Sequence, residues 1–274
     1  MNEKVNKLNT FQKFKAEMQG KTFSILGDSI STFEGYSNNS TQTNSTIANN
    51  CVRYGPVGSG KAFVLNTVSE TWWMQIADQL SMKLCVNNSS GGSMVNGTGS
   101  NNIAPAYLDR CVQLHMDANR KNNQIVNPEY IMVYMGVNDI RYNKKPGNFE
   151  DINFRELIKK TQDGTFSYAT PNNFAEAYAI MIHKMKTKYP NSKIFVFNLP
   201  KDFGSNHALQ NFNNTIFLVS KKFGCFLADL NTSKMGGDCY AGYTFEGVHP
   251  NAIGMDIMTD VMIDAMFKTF KTDK

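Results

Sequence analysis

Histidine, cysteine and tryptophan are scarce in this chain of 274 residues, which holds four, five and two of them. No His-Glu-x-x-His pair, Cys-x-x-Cys pair or clustered Cys/His set occurs, so the ligand spacing of a zinc hydrolase is missing and no metal or other cofactor is expected. The Gly-x-Ser-x-Gly elbow of the α/β-hydrolases is missing too. Apolar runs are short, none near the ~20 residues of a membrane-spanning helix. Charge of neither sign is concentrated: 28 basic and 23 acidic residues leave a net +5, and like charges gather only in pairs such as Lys144-Lys145 and Lys221-Lys222. Neither a nucleic-acid stripe nor a membrane surface is expected as a partner. The first 21 residues are charged and polar, without the apolar centre and cleavage site of a secretory signal. With an odd cysteine count, this leads to the expectation of a cytoplasmic protein with free thiols, secretion of a longer form aside.

With 41% hydrophobic residues the chain can bury a sizeable core, and its length suits one large α/β domain. Near-continuous apolar runs at 22–26, 84–86, 130–135, 193–198 and 225–230 predict strands. Helical spacing predicts helices over 70–82, 104–118, 173–189, 205–223 and 251–270. Such alternation reads as a mostly parallel sheet with helices on both faces, a three-layer α/β/α fold. Residues 1–21 form a helical or extended lead-in, and 22–274 the domain. Residues 37–68 break the alternation: they open with a Ser/Asn/Thr-rich stretch and continue without periodicity. Long irregular connections in a compact domain are often functional, and this one borders the end of the first strand.

At that strand end stands Gly27-Asp28-Ser29-Ile30. A serine at the carboxyl edge of a parallel sheet sits where open α/β folds place their chemistry, which makes Ser29 a candidate nucleophile. A nucleophilic hydroxyl needs a base, a group to orient that base, and donors for the developing oxyanion. Of the histidines, His115 and His183 fall in helical stretches and His207 early in another, whereas His249 lies in Glu246-Gly247-Val248-His249-Pro250, a loop before the last helix. Glu246, three residues earlier, can hold Nδ1 and leave Nε2 as the base. Two more strand ends carry loops suited to oxyanion binding: Asn88-Ser89-Ser90-Gly91-Gly92-Ser93, with backbone N–H groups, and Gly136-Val137-Asn138-Asp139, with a side-chain amide.

These four blocks, in this order, resemble the SGNH (GDSL-type) hydrolases, and the stretches from Asp28 to Gly35 and from Glu70 to Trp73 resemble a bacterial subgroup of them. The resemblance implies a flavodoxin-like fold and ester hydrolysis, with Ser29 as nucleophile, His249 as base, and Ser29 N–H, Gly92 N–H and Asn138 as the oxyanion hole. It puts Asp28, Ser90, Asp139 and Val248 beside the substrate. The family's acid, an aspartate three residues before the histidine, is Glu246 here; Asp28 and Asp238 are the other carboxylates considered. Ser90 replaces an aromatic residue of the subgroup.

Gly55 to Ala62 nearly spells the phosphate-binding pattern GxxxxGK[ST], but Ala62 lacks the hydroxyl and no strand leads into it. A polar surrounding suits short acyl groups, such as acetyl, on a sugar or other small polar carrier. The alternatives are a lipase or thioesterase for longer acyl chains, and a binding protein that keeps the fold without turnover.

Overall fold

The computed structural model describes residues 2–37, 51–116, 125–201 and 208–272, apart from the side chains of 2–7, 101 and 237–239. In chain order, α1 (Asn2–Met18) leads into β1 (Thr22–Gly27), and a short pair, β2 (Tyr54–Gly55) and β3 (Phe63–Val64), precedes α2 (Trp72–Leu80) and β4 (Lys83–Ser89). Then come β5 (Tyr130–Tyr134), α3 (Val137–Arg141), α4 (Phe154–Leu157), and the antiparallel β6 (Ile158–Lys160) and β7 (Phe166–Tyr168). The chain closes with α5 (Phe174–Lys188), β8 (Lys193–Phe197), α6 (Ala208–Lys222), β9 (Phe226–Ala228) and α7 (Ala252–Thr272).

Five strands form the main sheet in the order β4-β1-β5-β8-β9, with every pairing parallel. The central β5 is apolar and buried along its whole length, as a strand covered on both faces must be. Helices α2 and α7 pack on each other with α1 against both, and α5 packs on α6. The result is a three-layer α/β/α architecture. Local chemistry explains the helices. Thr71 Oγ1 accepts from Met74 N at the start of α2, whose Trp72, Trp73, Ile76, Ala77 and Leu80 are all buried. Asn173 caps α5, Glu176 reaches back to Asn172 N, and Pro190 stands two residues past its end. The charged sequence of α1 conceals an apolar side: Phe14 lies against Phe267 and Phe270 of α7.

One predicted helix is absent. Within 104–118 the described residues have only a 3₁₀ turn at Arg110–Val112, and residues 117–118 lie outside the described residues. Tertiary hydrogen bonds take the backbone groups a helix would have used. Leu114 N donates to Tyr189 Oη and Leu114 O accepts from Ser24 Oγ, while Tyr189 Oη donates to Val112 O. Arg110 turns inward and is 6% exposed. Its Nη2 donates to Gly27 O at 2.9 Å and to Asn88 O at 2.5 Å, tying together the carboxyl ends of β1 and β4. Replacement by methionine keeps bulk but removes the charged donor shared by both carbonyls, leaving Gly27 O with its bonds from Ser90 N and Ser93 Oγ, so Arg110→Met is expected to lower stability by about 2 kcal/mol, read as a lower urea midpoint. An unchanged midpoint would show that the two strand ends do not depend on this guanidinium.

Candidate active site

Gly27 is the hinge from sheet to site. A side chain here would begin 2.6 Å from Ser89 Oγ and 2.7 Å from Ser31 Cβ, so the chain can turn this closely past β4 only with glycine. Ser29–Ser31 forms a 3₁₀ turn, capped by Asp28 Oδ1, which accepts from Ile30 N at 3.0 Å. The turn aims Ser29 Oγ at His249 Nε2, 2.8 Å away. His249 Nδ1 in turn bonds Glu246 Oε1. The loop that carries them is closed by its own backbone: Phe245 N donates to His249 O at 2.9 Å, Gly247 N to Thr244 Oγ1, and Gly247 adopts φ +80°. Tyr240 Oη donates to Val248 O and Tyr54 Oη to Pro250 O, pinning the loop from two directions.

Residues 51–64 finish the wall around the imidazole. Phe63 of β3 stacks on His249 with centroids 4.1 Å apart and planes 24° apart, and Phe245 stacks on Phe63 at 5.5 Å and 20°. His249 is therefore only 7% exposed. Burial holds its pKa below the ordinary value; Glu246 opposes that, and Arg141 and Arg53 push further down. The imidazole is neutral in the rest state and free to accept a proton.

The glycine loop follows β4 and is tied in at successive residues. Ser90 N donates to Gly27 O, Gly91 N to Cys51 O, and Ser93 N to Ser90 O. Gly92, at φ +77°, faces Ser100 so closely that a side chain would begin 2.4 Å from Ser100 Oγ. Its N–H and that of Ser29 have no acceptor among the described residues. Asn138, 3% exposed on α3, donates one amide hydrogen to Ser93 O at 3.0 Å, leaving the other for a ligand.

Four residues expected beside the substrate have other work. Asp139 is fully buried, and its carboxylate accepts from Val95 N and Asn96 N at 2.8 and 2.7 Å, holding the loop beyond Gly92. Burial pushes its pKa up to about 6 against those two donors. Asp28 is likewise fully buried, and burial raises it to about 7 despite the Ile30 N–H and the Arg110 charge. Ser90 is 2% exposed with its N–H on Gly27, and Val248 is 9% exposed with its carbonyl taken by Tyr240. Asp28 and Asp139 brace the loops from within, whereas Val248, at 9%, is no more buried than Ser29 at 6%. Of the other histidines, His115 contacts Tyr189 and His183 contacts Tyr168; His207 and the side chain of Asp238 lie outside the described residues.

The near phosphate-binding stretch is β2, a turn with Ser59 N on Pro56 O, and β3, with no helix opening at Gly60-Lys61; its Lys61 pairs with Glu34 at 3.8 Å. Arg53, Tyr54 and Phe63 escaped notice in the sequence because this segment has no period. Its one signal was a pair of aromatic residues, Tyr54 and Phe63, flanking a glycine-rich stretch. If Phe63 keeps water from the imidazole, Phe63→Ala raises the His249 pKa toward 6.5 and Phe63→Trp leaves it low, as followed by NMR titration of the imidazole protons. An unmoved pKa in the alanine variant would assign the shift to other walls.

Comparison with known proteins accords with this geometry. The family model described as GDSL-like Lipase/Acylhydrolase matches residues 21–265. Among solved structures, a protein of Bacteroides ovatus described as a GDSL-like lipase aligns with a TM-score of 0.63 at 22% identity, over 91% of this chain and 99% of its own. Another of that description, from Bacteroides uniformis, aligns at 0.61 and 22%, over 89% and 94%. A carbohydrate esterase family 2 enzyme of Corynascus thermopiles, with a carbohydrate-binding domain, aligns at 0.51 and 16%, over 90% of this chain and 65% of its own. At these identities the likeness shows a shared fold. A search of curated protein sequences gives no significant match. On the family match across nearly its whole length, the chain belongs to the GDSL-like lipase/acylhydrolase family of carboxylic ester hydrolases.

Proposed function

We propose that this esterase removes short acyl groups, acetyl foremost, from a carbohydrate or another small polar alcohol, through an acyl-enzyme on Ser29. The observation that carries the mechanism is the 2.8 Å approach of Ser29 Oγ to His249 Nε2, with Nδ1 held by Glu246. The neutral imidazole accepts the Ser29 proton as Oγ attacks the ester carbonyl, and Glu246 steadies the imidazolium that forms. The oxyanion is received by the N–H groups of Ser29 and Gly92 and by the Asn138 amide. Collapse expels the alcohol, which takes the proton from His249, and leaves the acyl group on Ser29. Water, deprotonated by the same imidazole, then attacks that acyl group and releases the acid. Glu246 serves from a half-open position, its side chain 43% exposed.

The substrate class is supported by what surrounds the nucleophile. The strand end beside it is packed with buried polar side chains, Asn87, Asn88, Ser89, Ser90 and Ser93, in place of the apolar ones that would line a channel for a long acyl chain. Phe245, 45% exposed and outermost in the ring stack, presents an aromatic face of the kind that packs on the C–H face of a sugar ring. The structural neighbour described as a carbohydrate esterase agrees with this choice.

Hydrolysis of 4-nitrophenyl esters from C2 to C12, alongside acetate release from acetylated sugars, tests both parts; activity that peaks at long chains would overturn the short-acyl assignment. Ser29→Ala is expected to abolish turnover. Asn138→Ala, folded as judged by circular dichroism, should lose about 10²–10³ in kcat. Because the base must be neutral and its pKa lies below the ordinary 6.5, kcat/KM should climb through an acid limb centred below pH 6.5 and then level off.

A further inference from the structure

Arg53 is a partly buried cation beside the oxyanion loop that the ester-hydrolysis mechanism leaves unused. Its backbone is fixed on both sides: its N–H donates to Thr32 Oγ1 at 2.9 Å, Thr32 Oγ1 donates to Ser29 O at 2.7 Å, and its carbonyl accepts from Phe63 N at 3.0 Å. Its side chain lies across the glycine loop. A Cβ on Gly91 would sit 2.6 Å from Cys51 O, 3.2 Å from Arg53 Nε and 3.3 Å from its Cγ, so glycine here lets both the Cys51 carbonyl and the Arg53 side chain lie against the loop. The next residue is Gly92, whose N–H is open. Arg53 is partly buried, and its guanidinium has no hydrogen-bond or ion-pair partner among the described residues.

The nearby carboxylates are engaged elsewhere. Glu246 is bound to His249, Glu34 faces Lys61, and Asp28 is sealed beneath the turn. A guanidinium with no partner among the described residues works against neutral-ester chemistry. Together with Arg141 it disfavours the protonated form of His249, the form that must appear when Ser29 attacks, and only Glu246 counters them. A negative charge delivered by the substrate would cancel this penalty. Arginine's planar fork of donors matches a carboxylate in two parallel hydrogen bonds.

We propose that Arg53 anchors a carboxylate carried by the substrate, making the enzyme selective for esters of acidic molecules over their neutral counterparts. The inference deepens the ester-hydrolase reading above and rests on it for the reaction. The carboxylate enters either on the acyl side, as in a half-ester of a dicarboxylic acid, or on the alcohol side, as in an acylated uronic acid. In both cases it pairs with Arg53 while the ester carbonyl lies at the Gly92 N–H.

Two matched comparisons separate these sources: 4-nitrophenyl hydrogen succinate against 4-nitrophenyl butyrate, and O-acetylated glucuronic acid against O-acetylated glucose. In one of them the acidic ester should have the higher kcat/KM, and Arg53→Gln should lower the acidic-to-neutral ratio about tenfold or more. Arg53→Lys, which keeps the charge and loses the fork, should give an intermediate ratio. A second readout needs no turnover. In Ser29→Ala protein, saturation with each acidic ester in turn should raise the His249 pKa for at least one of them, and the rise should vanish in Ser29→Ala/Arg53→Gln. No preference in either pair, a ratio unchanged in Arg53→Gln, or a His249 pKa indifferent to both acidic esters in the presence of Arg53 would each overturn the assignment. Failure of ester hydrolysis itself would show as loss of turnover on all four substrates, with the pKa response still reporting on Arg53.

Discussion

The double pairing of β1 is the constraint on which the site depends. Gly27, its last residue, is in register with Ser89 of β4 on one side and Tyr134 of β5 on the other. Parallel strands in register end level, so the nucleophile turn, the glycine loop and the Gly-Val-Asn-Asp turn all leave the sheet at one edge. A slip of one residue in either pairing would send the loops to different heights and turn each strand's side chains over. Arg110 reinforces that edge from beneath by binding the carbonyls of Gly27 and Asn88 with one nitrogen. A buried charge used in this way rigidifies the strand ends at a desolvation cost that its hydrogen bonds offset.

Above the edge, the imidazole is held by contacts of two kinds. Directional bonds from Ser29 and Glu246 set its tilt and tautomer, and the rings of Phe63 and Phe245 cover its face. The first kind supplies chemistry; the second excludes water, which lowers the pKa and strengthens every charge interaction nearby. The same segment that brings Phe63 also brings Arg53 and Tyr54, so residues 51–64 join the nucleophile turn, the glycine loop and the histidine loop through Thr32, Gly91 and Pro250. A connection without periodicity thus ties together three loops of the site.

What could be read in the chain differs by element for physical reasons. Strands such as 130–135 and helices such as 173–189 announce themselves because their burial pattern repeats at a fixed period. Residues 104–118 carried a helical spacing of apolar side chains, yet Tyr189 and Ser24, distant in sequence, capture the backbone of Val112 and Leu114. Helix α1 showed the reverse: its phenylalanines looked isolated among charges until α7 supplied the surface they pack on. Asp28 and Asp139 sit in the motif blocks beside Ser29 and Asn138, which suggested contact with substrate; their depth and their backbone partners are properties of the packed loops, invisible to spacing.

By itself the sequence determined the class of fold and the strand ends at which reactive side chains stand, and it put Glu246 three residues from His249, within reach of it. These follow from periodicity and from residues three apart, both local. The tertiary structure decided that Glu246 bonds His249, that Asp28 and Asp139 are buried supports, and which side chains of an irregular segment cover the base. The last two depend on where chain segments distant in sequence come to rest, and no local pattern encodes that distance.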